Sequence, residues 1–394
     1  MITIDRTRPS WMTDEVAELF DLSADFFAKE AVPNFQKWRD QHRVDKEFWR
    51  KAGEVGLLCP SIPAEYGGGD GSFLHFAAVA EAVARSGDRS WSHTVHSGIV
   101  AHYILDYGTE EQRRRWLPPM GSGEKVGAIA MTEPSAGSDL KAIATTAVRD
   151  GDTYVINGSK TFISNGQNAD IIIVAAKTNP EAGAKGVSLI VVEADKAEGF
   201  TRGRVLDKIG QKGADTSELF FDDVVVPAEN LLGDLDAGFF MMMSQLRQER
   251  LIIGITAVSA AEAAVRVTAD HVNDREAFGA PLIKLQNTRF ELAECATLAR
   301  VGRVFLDDCI TRHMRGEFGT DEAAMCKWWL TEIQCQISDR CLQLFGGYGY
   351  VLEYPIAHLF ADSRVQKIYG GANEVQKELI ARTLDRTPRA GKAS

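Results

Sequence analysis

A carboxylate lodged among apolar residues is the side chain with the most chemical promise here, because loss of water strengthens it as a base. Glu249, in the run Gln248, Glu249, Arg250, Leu251, lies between apolar residues 239–243 and 251–253. A free Glu titrates near about 4.3. Burial raises that by up to roughly 3–5 units, toward the range in which a general base works at neutral pH. By position alone Glu249 fits equally a first-turn acid favoured by a helix dipole. Glu374 is a rival acid, but Asn373 followed three residues later by Gln376 reads as a helix cap with its capping-box partner. The turn M-T-E-P-S-A-G-S-D at residues 131–139 has small residues that let backbone N–H groups approach a ligand; its plain alternative is a Pro/Gly turn between strands. Arg275 carries the planar fork that suits a diphosphate, or else ends a helix in solvent. His93 and His96 have no third ligand nearby, so no metal site is expected. There is no strand-to-helix G-x-G-x-x-G, Walker A loop, H-E-x-x-H or G-x-S-x-G. The hard chemistry, if any, falls to an organic cofactor.

These residues need elements to hold them. The chain has 394 residues, 45% apolar, which suits two or three domains. The net charge of -11 argues against nucleic acid and anionic membrane as partners. Residues 1–125 read as an N-terminal α-helical domain: Val16, Leu19, Phe20, Phe26 and Phe27 recur at helical spacing, and Ser72 opens a second apolar stripe. Residues 126–235 carry short β-rich runs at 126–132, 153–164, 171–176, 187–193 and 219–226, read as a compact antiparallel β domain. Residues 236–394 read as a C-terminal bundle, helical from Gly238, of four long helices: one with its Ala-, Ile- and Val-rich part at 251–272, then 282–315, 322–344 and 373–384. The fold class is therefore α+β, in the order α, β, α bundle. The six cysteines show no C-x-x-C spacing and read as inert thiols in a reducing compartment. Residues 1–14 show no apolar signal core, and the apolar runs look too short to span a bilayer. A soluble, cytoplasmic protein is expected, or a matrix one if mitochondrial. The last eight residues read as frayed.

Four stretches carry a resemblance: residues 131–139, F-I-S-N-G at 162–166, R-E-A-F-G at 275–279 and L-F-G-G-Y-G-Y at 344–350. In their order and intervals they resemble the acyl-CoA dehydrogenase family, closest to the long-chain type, over residues 10–385. The resemblance implies that family's fold and an FAD cofactor. It implies oxidation of an acyl-CoA thioester to a trans-2-enoyl-CoA, with electron-transfer flavoprotein as acceptor, and a homotetramer.

By the same resemblance Met131, Thr132, Ser138, Phe162 and Ser164 contact flavin, and Ser138 also contacts substrate. Phe162 replaces the usual Trp and also suits a β-domain core position. Arg275, Phe278, Gln286, Gln343 and Gly347 would hold the adenine and diphosphate of a neighbouring subunit's flavin. Many family members carry the catalytic Glu where this chain has Gly370. Long-chain and isovaleryl-type members carry it on an earlier helix, where Glu249 stands. Gly370 would still offer a backbone N–H to the thioester carbonyl. Gln248, Arg250 and Gly371 would touch substrate, and Ala372 and Glu374 the flavin. Ala372 replaces a Thr. The rival readings are a flavin oxidase or monooxygenase on the same fold, and a non-enzymatic acyl-CoA-binding scaffold.

Overall fold

A computed structural model describes residues 8–385; the N-terminal stretch and the frayed end expected at 387–394 lie largely or wholly outside it. The chain begins with α1 (Asp14–Phe26), α2 (Phe35–Gln41), α3 (Lys46–Glu54) and α4 (Phe73–Arg85). Next come α5 (His93–Val95), a π-helical turn at His96–Val100, α6 (Ala101–Tyr107) and α7 (Glu110–Gly121). Ser72 caps α4, its hydroxyl accepting from the Leu74 N–H at 3.3 Å. That satisfies a donor the first helical turn would otherwise leave unpaired.

The sheet follows: β1 (Val126–Ala130), β2 (Thr146–Asp150), β3 (Thr153–Ser164), β4 (Ala169–Lys177), β5 (Val187–Glu193), β6 (Phe200–Val205), β7 (Thr216–Pro227) and β8 (Leu231–Leu232). Their order is β6-β7-β3-β2-β4-β5-β8, with β1 added on β4. The expectation of a wholly antiparallel domain is corrected here. β1 runs parallel to β4, Gly127 opposite Ile171 and Ala130 opposite Val174, and β2 meets β4 in parallel at Thr146 and Lys177. The pattern of β4 shows why its alternation was invisible. Ile171, Ile173 and Ala175 face the helices around Tyr103, Ile104 and Trp116, while Ile172, Val174 and Ala176 face the sheet's own core with Tyr154 and Phe221. A strand covered on both faces reads as one apolar run.

The C-terminal part holds α8 (Gly238–Asp274), a two-stranded β9–β10 turn (Glu276–Ala277 and Ala280–Pro281), α9 (Gln286–Met314), α10 (Thr320–Phe345), α11 (Pro355–Ser363) and α12 (Asn373–Leu384). Three helices are long, not four, and α11 is an added short one. Helix α8 is long and apolar enough to cross a membrane, correcting the reading that no run was, but 89% of its most apolar stretch is buried inside the protein. Its middle, residues 251–265, is buried on every side because α4, α9 and α10 all pack on the helix. One core joins Phe73, Phe76 and Ala77 of α4 to Leu251, Ile255, Leu306, Leu330 and Ile333. The first helices and the bundle thus share an interior across the intervening sheet.

At that seam lies a buried ionic cluster. Arg303 of α9 grips Glu262 of α8 with two bonds of 2.9 Å and also bonds Glu81 of α4. Arg85 reaches Glu262 at 3.0 Å.

Candidate functional site

Helix α8 is the spine of the site. Glu249 stands about three turns inside it, not in its first turn, so a dipole role does not account for this acid. The side chain is buried, with 8% exposure. Burial pushes its carboxyl up to about 7, against a smaller opposing effect of the Tyr103 hydroxyl and the Arg250 charge. Tyr103, on α6, donates to Glu249 Oε1 at 3.1 Å. Nothing in the sequence separates Tyr103 from an ordinary core aromatic, and the contact spans 146 residues. With the hydroxyl gone, the charged form loses a donor that favours it. Tyr103→Phe should therefore move the acid limb of the rate–pH profile to higher pH and lower the rate several-fold near pH 6–7, with less loss at pH 8.5. A profile measured from pH 5.5 to 9 checks this.

Gly370 and Gly371 bring the second half of the site to Glu249. Their φ angles are +64° and +89°, the left-handed region that favours glycine. A Cβ on Gly370 would come within 2.3 Å of Ile253 Cδ1, and one on Gly371 would lie 2.5 Å from Gln376 Nε2 and 4.0 Å from an Arg250 nitrogen. Since Ile253 stands one turn beyond Glu249 and Arg250, the two glycines lie against the same stretch of α8. Arg250 is buried, 5% exposed, and its Nε has no hydrogen-bond partner among the described residues. Gln248 donates to the Gly98 carbonyl at 3.0 Å, in the π-helical turn before α6.

The capping box expected at Asn373 and Gln376 is not formed. Ala372 is the cap residue and makes no side-chain bond. The Asn373 amide oxygen is taken by Lys327 at 2.8 Å, and its nitrogen donates to Glu332 at 3.1 Å. Gln376 Nε2 instead donates to the Gly371 carbonyl at 3.0 Å. Glu374 is exposed at the start of α12.

The motif turn after β1 is locked to β3. Lys160, fully buried, donates to the Met131 carbonyl at 3.2 Å and to Glu133 at 2.8 Å, and the Thr161 N–H donates to the Thr132 carbonyl at 2.9 Å. Burial drives the Lys160 ammonium down to about 8, against the pull of Glu133. Ser138 is exposed and Ser164 half-buried. Phe162 is not in the core of the sheet: it is 66% exposed, at φ +60°. A bulky residue in that conformation is strained, and such strain clusters at ligand sites. A flat apolar ring turned outward beside a braced turn fits a planar cofactor.

Arg275, Phe278, Gln286, Gln343 and Gly347 gather at the opposite end of α8. The Arg275 guanidinium lies 5.4 Å from the Tyr348 ring centre, and Phe278 is 95% exposed at φ +54°. The 26 residues from Glu249 to Arg275 place this group about 39 Å along the helix from the base. His93 and His96 are buried; His96 accepts from the Gly127 N–H at 2.9 Å and donates to the Met120 carbonyl, tying α7 to β1.

Comparison with known proteins identifies the family of the chain. Residues 13–124, 128–224 and 236–384 match the N-terminal, middle and C-terminal domains of acyl-CoA dehydrogenase. The mitochondrial long-chain specific acyl-CoA dehydrogenase of Sus scrofa is 45% identical over 91% of this chain and 84% of its own. The crystal structure of an acyl-CoA dehydrogenase from Geobacillus kaustophilus is 44% identical, covers 96% of this chain and 100% of its own, and has a TM-score of 0.93. An acyl-CoA dehydrogenase from Bacillus anthracis complexed with FAD is 30% identical, covers 98% of this chain and 69% of its own, and has a TM-score of 0.90. The chain belongs to the acyl-CoA dehydrogenase family. It is a flavin-dependent oxidoreductase of acyl-CoA thioesters, and FAD is its cofactor.

Proposed function

We propose that this protein dehydrogenates a fatty or branched saturated acyl-CoA to the trans-2-enoyl-CoA, with Glu249 as the base. The observation that carries the reading is the buried Glu249 carboxyl, raised to about 7 and lying on α8 beside the Gly370–Gly371 turn. A base near pH 7 is both ionised often enough and strong enough to take a weakly acidic proton. Glu249 takes the α-proton, and the Gly370 N–H holds the thioester oxygen as negative charge gathers there. Gln248, Arg250, Gly371 and Ser138 line the substrate. Bound FAD supplies the acceptor for the β-hydrogen, which leaves as hydride. Met131, Thr132, Ser138, Phe162, Ser164, Ala372 and Glu374 hold the flavin from one chain.

Arg275, Phe278, Gln286, Gln343 and Gly347 serve the flavin of a neighbouring subunit, supported by their distance from Glu249 along α8. A shared site requires an oligomer, and a homotetramer is the form proposed. Electron-transfer flavoprotein is the proposed acceptor, and the cytoplasm, or the mitochondrial matrix in a eukaryote, the proposed compartment.

Anaerobic titration of the FAD-loaded protein with saturated acyl-CoAs of graded length and branching tests the reading. Bleaching of the flavin by one class of chain is expected and defines the substrate. A bound flavin that no acyl-CoA bleaches would refute dehydrogenation, and peroxide release in air would mark an oxidase.

A further inference from the structure

The Gly370–Gly371 turn holds two successive left-handed residues just before α12, a conformation that glycine permits but does not enforce. Two buried side chains hold it from within the bundle. Lys327 of α10 donates to the Gly371 carbonyl and to Asn373 Oδ1, each at 2.8 Å. Gln376 adds a bond of 3.0 Å to the same carbonyl and a longer one of 3.4 Å to Gly370. Lys327 has no exposed surface, and both of its acceptors are amide oxygens. An ammonium so placed is costly. Burial pushes it down to about 7, and neighbouring Arg250 pushes the same way, against weaker pulls from Glu374, Cys335 and Glu332. A structural need for donors to these two amide oxygens would be met more cheaply by a neutral amide.

We propose that Lys327 is a positioning residue for the dehydrogenation: it fixes the Gly370–Gly371 turn, and its charge lies beneath the point where the thioester oxygen becomes negative. This rests on the proposed function of the same turn. Arg250 and Lys327 then form a buried cationic pair, one on α8 and one on α10, flanking the glycines. Their field acts on the transition state more than on the neutral substrate, so its loss falls on kcat and not on KM.

The test compares Lys327→Met and Lys327→Gln with the parent, all loaded with FAD. For Lys327→Met, kcat should fall 30-fold or more, with KM within threefold, flavin content unchanged and thermal stability not lowered. Lys327→Gln, which restores a donor without the charge, should recover part of kcat. A second readout is the absorption band of bound cinnamoyl-CoA, whose red shift reports polarisation of the thioester carbonyl; it should shrink in Lys327→Met. The inference is overturned if kcat stays within threefold, if the band is unmoved, or if both variants lose flavin or folding together. Glu249→Gln run alongside separates the two ideas: if it remains active, the assignment of the base fails; if it is dead and Lys327→Met is not impaired, only the role of Lys327 fails.

Discussion

Glu249→Gln should lower turnover by about 10²–10⁴, the usual worth of a general base, and at the same time make the protein harder to unfold above neutral pH. Both effects have one cause. The Glu249 carboxyl is raised from 4.5 to about 7 because burial disfavours its charge. Below pH 4.5 the group is protonated in the folded and unfolded chain alike, and it costs nothing. As pH rises from 4.5 to 7, the unfolded chain releases a proton that the folded one keeps, so stability falls. Above 7 the full cost stands, about 3 kcal/mol at roughly 1.4 kcal/mol per pKa unit. Gln has nothing to ionise and can still accept from Tyr103. The variant should therefore match the parent in melting temperature near pH 4.5 and exceed it by a few degrees at pH 8. Melting curves across that range check the claim. A variant no more stable at pH 8 would mean that the carboxyl is solvated and is no raised base.

The second large effect is expected far from the chemistry. Arg303→Met should cost roughly 3–5 kcal/mol at pH 8 by leaving the buried Glu81 carboxylate without its bonded cation and Glu262 with Arg85 alone. Glu81 and Glu262 are both buried, and Arg303 is the group that bonds each of them. Arg85, 4.0 Å from Glu81, is a poor substitute. Burial already raises the Glu81 carboxyl against the pull of Arg303, so with Arg303 gone it is raised further and the folded chain holds a proton that the unfolded one has released. The loss must then shrink as pH falls toward 5. Adding Glu81→Gln and Glu262→Gln to the same chain should recover most of it. Urea unfolding followed by helical circular dichroism, at pH 8 and pH 5, measures all four combinations. An Arg303→Met penalty that does not depend on pH would point to lost packing instead.

Much of the element order is legible from residue patterns, and the errors share a physical origin. The limits of β5 and α12 follow from local signals alone: an apolar β-branched run at 187–193, and Asn373 opening a periodic stretch that ends at Leu384. The direction of β1 does not, since period-two alternation carries no information about a neighbour's orientation. The return to helix at Gly238 is legible, but the register of α8 is not, because residues 238–250 mix apolar and polar types while residues 251–265 are buried on every side and show no stripe. At Asn373 local chemistry favoured a cap, but Lys327, 46 residues away, took the side chain first. Glu249 could be singled out by its motif, whereas Tyr103, the group bonded to it, could not. Contacts that cross between elements decide which acid is a base, and a single chain of letters does not display them.

The interior shared by α4 and the bundle has a cost during synthesis. The apolar face of α4 leaves the ribosome while Leu330 and Ile333, which complete its core, are still untranslated. At about 5–20 residues per second the intervening stretch of roughly 250 residues takes on the order of ten seconds or more. Through that interval Phe73, Phe76 and Ala77 have Trp11, Met12 and Val16 of the same core beside them but lack the bundle side chains that complete it. A nascent chain of this protein should therefore depend on a chaperone that holds unfinished helices. A product ended after the sheet should precipitate rather than persist as a smaller folded protein.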